Sequence, residues 1–177
     1  MAQKRLELVP CDPAWPERFA REGGRIAAAI GSHAIQLEHV GSTAVPGLLA
    51  KPVIDIGVAV RSLAAAYACI EPLQALGYEY RGMHGDDPAR RYYVLNGGGR
   101  RLVQVHLYVV PARSWDEKLA FRDALRANPQ LAAAYAAEKL RVASEVAWDK
   151  AAYSRAKEPF IRATLDALTP RARPRAI

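Results

Sequence analysis

The sequence predicts an α/β (α+β) fold, a mixed β-sheet with flanking helices and a C-terminal helical cluster. Three observations predict it. Two short Val/Ile-rich runs lie at 35–40 and 52–60, a β-hairpin signal spans 91–110, and three helical patterns follow one another after residue 114.

Taken in order, Leu6 to Val9 alternates and reads as an edge strand or arm. Asp12-Pro13 is a helix start, an Asp cap followed by Pro at the first position. Trp15, Phe19, Ile26 and Ile30 recur at helical spacing, Gly23-Gly24 predicts a weak or kinked middle, and Gly31 ends the helix. The two Val/Ile runs are strands. Ser62 caps a helix running to about Leu76, with Gly77 as its C-cap. Tyr78 to Tyr80 is a short extended piece, and residues 81–90 form a loop rich in Gly and Asp. Arg91 to Leu95, a turn at Asn96 to Gly99, and Arg101 to Val110 make the hairpin. Ser114 caps the next helix, Asn128-Pro129 another, and Trp148 to Leu168 reads as one final helix. Residues 1–168 therefore suit a single domain, and 169–177 read as a basic, solvated tail.

The totals exclude several classes. The chain has 177 residues, 51% of them hydrophobic, which argues against disorder. No apolar run approaches the roughly 20 residues that span a bilayer. The first residues carry no signal-peptide core, and the two cysteines, Cys11 and Cys69, show no disulfide or metal spacing, so a cytoplasmic setting is expected. The net charge of +7 suits a phosphate-bearing ligand. The charges are scattered and no aromatic-basic motif accompanies them, so nucleic acid is not the expected partner. Oligomeric state cannot be read from the sequence.

The chemistry concentrates in HVGSTAVPGLLAKPVIDIG, residues 39–57. A Gly41-Ser42-Thr43 turn precedes a strand with one carboxylate, Asp55. A bare charge in a buried strand is costly, so Asp55 is either held by backbone donors as a structural residue or part of a site. By period two, Val53, Asp55, Gly57 and Ala59 share one face. Leu102, Gln104, His106 and Tyr108 share a face in the hairpin strand. If the two strands are neighbours, Asp55, Gln104 and His106 converge. The turn offers N–H groups to phosphate oxygens, Lys51 and Arg91 lie near the strand mouths, and Asp55 can ligate Mg²⁺. A Walker loop, a dinucleotide fingerprint, a zinc pairing among His39, His84 and His106, and a nucleophile elbow are all absent.

The stretches EHVGSTAVPGLLAKPVIDI, LVPCDPAWPERF, LAFRDALRANPQLAAAYAAEKL and AYSRAKEPFI resemble the GrpB family, from about Leu6 to Leu168. That family resembles the polymerase-β-like nucleotidyltransferase superfamily. The resemblance implies a nucleotidyltransferase-like sheet, a Gly-Ser turn that grips nucleotide phosphates, and carboxylates that hold two Mg²⁺ ions. A similar domain is fused to dephospho-coenzyme A kinase in some proteins. By resemblance Gly41, Ser42 and Thr43 match the gripping turn and Asp55 the first metal carboxylate. The second carboxylate is expected at 57, where Gly57 stands. The third is expected near Gln104 and His106. Two of three ligands are missing, so at most a single Mg²⁺ site at Asp55 is expected. His39, Lys51, Arg91, His106, Arg122, Lys139, Tyr153 and Lys157 fall in the matching segments. Helix-surface ion pairs or core packing are the simpler reading for Arg122, Lys139, Tyr153 and Lys157, and a bracing interior histidine for His39. Asp55 and His106 are the catalytic candidates. Two functions follow: binding a nucleotide or other phosphorylated small molecule with nucleotidyl transfer to an acceptor, or a catalytically reduced binding or regulatory module on the same fold.

Overall fold

A computed structural model describes residues 6–83 and 87–168. His84 and the tail 169–177 lie outside the described residues. The elements are α1 (Trp15–Ile30), β1 (Ala34–Val40), β2 (Ile54–Val60), α2 (Leu63–Ala68), α3 (Ile70–Ala75), β3 (Glu79–Tyr80), β4 (Arg90–Gly97), β5 (Arg100–Val109), α4 (Arg113–Ala127), α5 (Pro129–Glu145), α6 (Lys150–Ala156) and α7 (Glu158–Leu168). The strand order is β1-β2-β5-β4-β3, with β2 and β5 parallel and the other neighbours antiparallel. This is a mixed α+β architecture.

Alternation along β2 and β5 sorts the sheet into two faces. Ile54, Ile56, Val58 and Val60, with Val103, Val105 and Leu107, form the main core with Trp15, Ile26 and Ile30 of α1 and with Ala66, Cys69 and Leu73. Each such side chain contributes roughly 1.5–3 kcal/mol by leaving water. Gly23 does not kink α1. A Cβ there would stand 3.0 Å from Leu37 Cδ2, so the missing side chain lets α1 settle onto β1. The other face meets α4, α5 and α7. There Ala59 and Tyr108 pack on Trp115, and Val45 and Leu48 pack on Leu125 and Tyr135.

Several boundaries differ from expectation, for local reasons. Asp12 does not cap α1 directly. Its carboxylate accepts from Ala14 N–H at 2.9 Å in a preceding turn, and Pro16 takes the early helical position. The helix expected over 62–76 is two helices meeting at Cys69. Pro72 lacks an N–H and its ring opposes the carbonyl of Ala68, where α2 ends. The final helix breaks likewise at Lys157, two residues before Pro159. Ser114 lies inside α4, and its hydroxyl donates to Asp87 at 3.3 Å instead of capping. The hairpin turn narrows to Gly98-Gly99, whose φ values of +57° and +74° suit a two-residue connection. The first residues form an arm: Val9 bridges Ala50, and Leu6 N–H donates to Trp148 O at 2.9 Å.

Candidate functional site

Parallel pairing sets Asp55 opposite Gln104 and Gly57 opposite His106. His106 Nε2 lies 3.3 Å from Asp55 Oδ1. On the other side is Gly41, with φ +71°. A Cβ on Gly41 would stand 2.6 Å from Asp55 Oδ2, so only glycine lets this turn close over the carboxylate. Burial raises the Asp55 carboxyl, but the His106 hydrogen bond and charge, with Lys118 and Lys157, outweigh it and hold the carboxyl below its ordinary value. Asp55 is therefore ionised at neutral pH.

Above this pair lies a cleft of about 380 Å³, walled by the sheet, α4, α5 and α7. Gly41, Ser42 and Asp55 form its floor, and Arg90, Lys118 and Lys157 are among its lining cations. Lys157 stands at the α6–α7 junction with its ammonium 4.4 Å from the Tyr153 ring centroid. Burial lowers it to about 8, Lys118 adding to the effect and Asp55 opposing it. The cleft carboxylate Glu117 is taken up by Arg162 at 2.7 Å and Arg113 at 2.8 Å. Arg122 is bound to Glu38 at 2.6 Å, to Asp123 at 2.7 Å and to the His39 carbonyl at 2.9 Å. Among the described residues, Arg90, Lys118 and Lys157 form no ion pair.

Gln104 borders the site and accepts from the Tyr92 hydroxyl, and the Tyr92 ring stands 5.2 Å from that of His106. Other sequence candidates lie elsewhere. Arg91 pairs with Leu107, so its side chain leaves by the core face. It donates to Pro88 O and to the Tyr67 hydroxyl at 3.0 Å, and does not line the cleft. His39 is buried, stacked on Phe19 at 4.6 Å and bonded to Thr43 Oγ1 at 3.0 Å. Burial, helped by Arg126 and Arg122 against Asp55, lowers it to about 4. His39 and Thr43 thus brace the turn from behind. Lys139 donates to Leu49 O and ties α5 to the loop before β2. Burial lowers it to about 7, with Lys157 and Lys51 adding their repulsion. Tyr153 is buried between Lys157 and Lys51, whose ammonium is 4.8 Å from the ring centroid. Lys51 lines a separate depression with Arg100 and Arg101.

Sequence reasoning missed Arg90, Lys118 and Tyr135 as cleft residues. Tyr135 lines the cleft with Ser42. It also missed Trp115. A Cβ on Gly57 would stand 2.8 Å from Trp115 Cζ3 and 3.3 Å from Val40 Cγ1, so the place of a second carboxylate is filled by indole. No group of three His, Cys, Asp or Glu side chains that could hold a metal ion occurs among the described residues. The donor set does not fit a pair of Mg²⁺ ions.

A mixed sheet with a Gly-Ser turn closing on a strand carboxylate, under a helical cluster, is the architecture the sequence motifs anticipate. Residues 5–167 match the family described as GrpB protein, and the chain belongs to that family. A UPF0157 protein of Pseudomonas aeruginosa is 38% identical over 161 residues, 89% of this chain and 65% of that protein. UPF0157 protein YqkA of Bacillus subtilis is 33% identical over 160 residues, 90% of this chain and 46% of that protein. A protein named dephospho-CoA kinase from Mycolicibacterium paratuberculosis is 36% identical over 186 residues, 92% of this chain and 46% of that protein. The chain thus spans less than two thirds of the length of these relatives. Among solved structures, GrpB from Enterococcus faecalis superposes with a TM-score of 0.82 at 31% identity, covering 91% of this chain and 96% of that one. Among the described residues, no helix is long and apolar enough to cross a membrane.

Proposed function

We propose that the cleft over Asp55 binds a phosphate-bearing small molecule, a nucleotide being the class the family resemblance favours. The observation that carries this reading is the set of three cations, Arg90, Lys118 and Lys157, that share the cleft and form no ion pair among the described residues. Like charges grouped in one cleft without an ion-pair partner repel one another, and a phosphate would supply the missing counter-charge. The Gly41-Ser42 turn places backbone beside the same space. Isothermal titration with nucleoside triphosphates tests it. Binding is expected, and Arg90→Ala and Lys118→Ala each weaken it. Heat-silent titration with every nucleotide, with and without Mg²⁺, would count against the reading.

A second reading adds chemistry. Asp55, kept ionised beside His106, is suited to accept the proton of an acceptor hydroxyl during nucleotidyl transfer. Product formation lost in Asp55→Asn with binding retained supports transfer; binding without turnover leaves a binding or regulatory module.

A further inference from the structure

The nucleotidyltransferase resemblance calls for metal ions where this chain offers few ligands. Four features of the site bear on what replaces them. The floor beyond Asp55 is closed, because Trp115 Cζ3 stands 2.8 Å from where any side-chain carbon of residue 57 would begin. The Asp55 carboxylate has Oδ1 3.3 Å from His106 Nε2, and the Gly41 turn closes over Oδ2, where an added Cβ would stand 2.6 Å away. Lys157 and Asp55 line the same cleft. The Lys157 ammonium stands 4.4 Å from the centroid of the Tyr153 ring, which also carries the Lys51 ammonium at 4.8 Å. A divalent ion entering here would meet a single carboxylate, already beside His106, and the positive charge of Lys157. Mg²⁺ needs six oxygen ligands in near-octahedral geometry. An ammonium needs only its three donors and can serve phosphate as a point charge.

We propose that the Lys157 ammonium, flanked by Lys118 and Arg90, takes the part a metal ion would play, so that phosphate-bearing ligands bind this cleft without a divalent cation. The proposal rests on the anion-binding reading above and specifies its chemistry. It also makes Tyr153 a positioning residue, since its ring lies against the Lys157 ammonium.

Titrations with ATP and with tripolyphosphate, each in EDTA and in Mg²⁺, test it alongside Mn²⁺ binding followed by electron paramagnetic resonance. In the intact protein, affinity in EDTA is expected to equal or exceed that in Mg²⁺, since Mg²⁺ would neutralise the phosphates that Lys157 attracts. Mn²⁺ alone is expected to keep its free-ion signal. Lys157→Met removes the charge while keeping an unbranched apolar side chain, and is expected to weaken both ligands about tenfold, or about 1.4 kcal/mol. Binding only in Mg²⁺, Mn²⁺ capture that Asp55→Asn abolishes, or a Lys157→Met protein that binds unchanged each overturns the proposal and leaves anion binding standing. No binding of either ligand in any condition removes the anion-binding reading, and this proposal with it. Should Lys157→Met fail to fold, the EDTA and Mn²⁺ measurements on the unaltered protein still decide.

Discussion

The two faces of β2 and β5 come from the same two strands by the same alternation, yet they are built to opposite ends. On the α1–α3 side every contributing β2 and β5 side chain is aliphatic and buried, from Ile54 to Leu107. On the α4–α7 side the same strands present Asp55, Gly57, Gln104, His106 and Tyr108, and the helices above them leave a cleft. The first face supplies stability through buried area. The second holds a carboxylate, a glycine and charged helix residues that a well-packed core would avoid. The stable face lets the other remain open, because the strand positions are already fixed from behind.

The comparison can be broken most sharply at neighbouring residues. Ile56→Ala is expected to cost about 4 kcal/mol in urea unfolding, through lost transfer energy and an unfilled cavity. A cost below about 1 kcal/mol would mean that the α1–α3 face is not the structural one. A smaller effect comes from His39, whose ring joins the core side against Phe19. Its folded value of about 4 lies below the ordinary 6.5, so the unfolded chain takes up the proton first. Its contribution is complete above pH 6.5 and is lost as pH falls towards 4, reaching about 3 kcal/mol. Stability measured between those limits should fall in the native chain and fall less steeply in His39→Gln; equal slopes would remove His39 as the cause. Smallest is Gly57→Ala on the cleft face, at about 2 kcal/mol, since the added methyl must push Trp115 or Val40 aside. Tryptophan emission should shift with it, and a variant as stable as the parent with unchanged emission would show that the indole does not close the floor.

What the sequence disclosed follows from how locally each feature is encoded. The alternation in VIDIGVAV sorted β2 into its two faces, and parallel pairing then brought Asp55 and His106 together across 51 positions. The Gly41 turn was legible as a turn because Gly-Ser lies between two apolar runs, and Gly41 has a φ of +71° that favours glycine. Arg91 was misplaced for Arg90 because both faces of β4 carry an aromatic and an aliphatic residue, Tyr92 with Val94 and Tyr93 with Leu95. Only the pairing with β5, and the irregularity between Leu95 and Asn96, fix which arginine faces the cleft. Lys118, Tyr135 and Trp115 were hidden for another reason. They sit on helices whose rotation over the sheet depends on tertiary packing, and helical periodicity alone does not say which face meets the cleft. The breaks at Cys69 and Lys157 were readable in principle, since Pro72 and Pro159 each bar a continuous helix.

The order in which the cleft residues occur along the chain has a consequence for synthesis. Its floor is encoded early, at Gly41, Ser42 and Asp55, but its walls finish only with Lys157 and Arg162 in the last helical turns. A chain emerging from the ribosome in that order cannot complete the cleft before Leu165 has been made. Any ligand that fits the cleft would therefore add stability by mass action only to chains made through that residue.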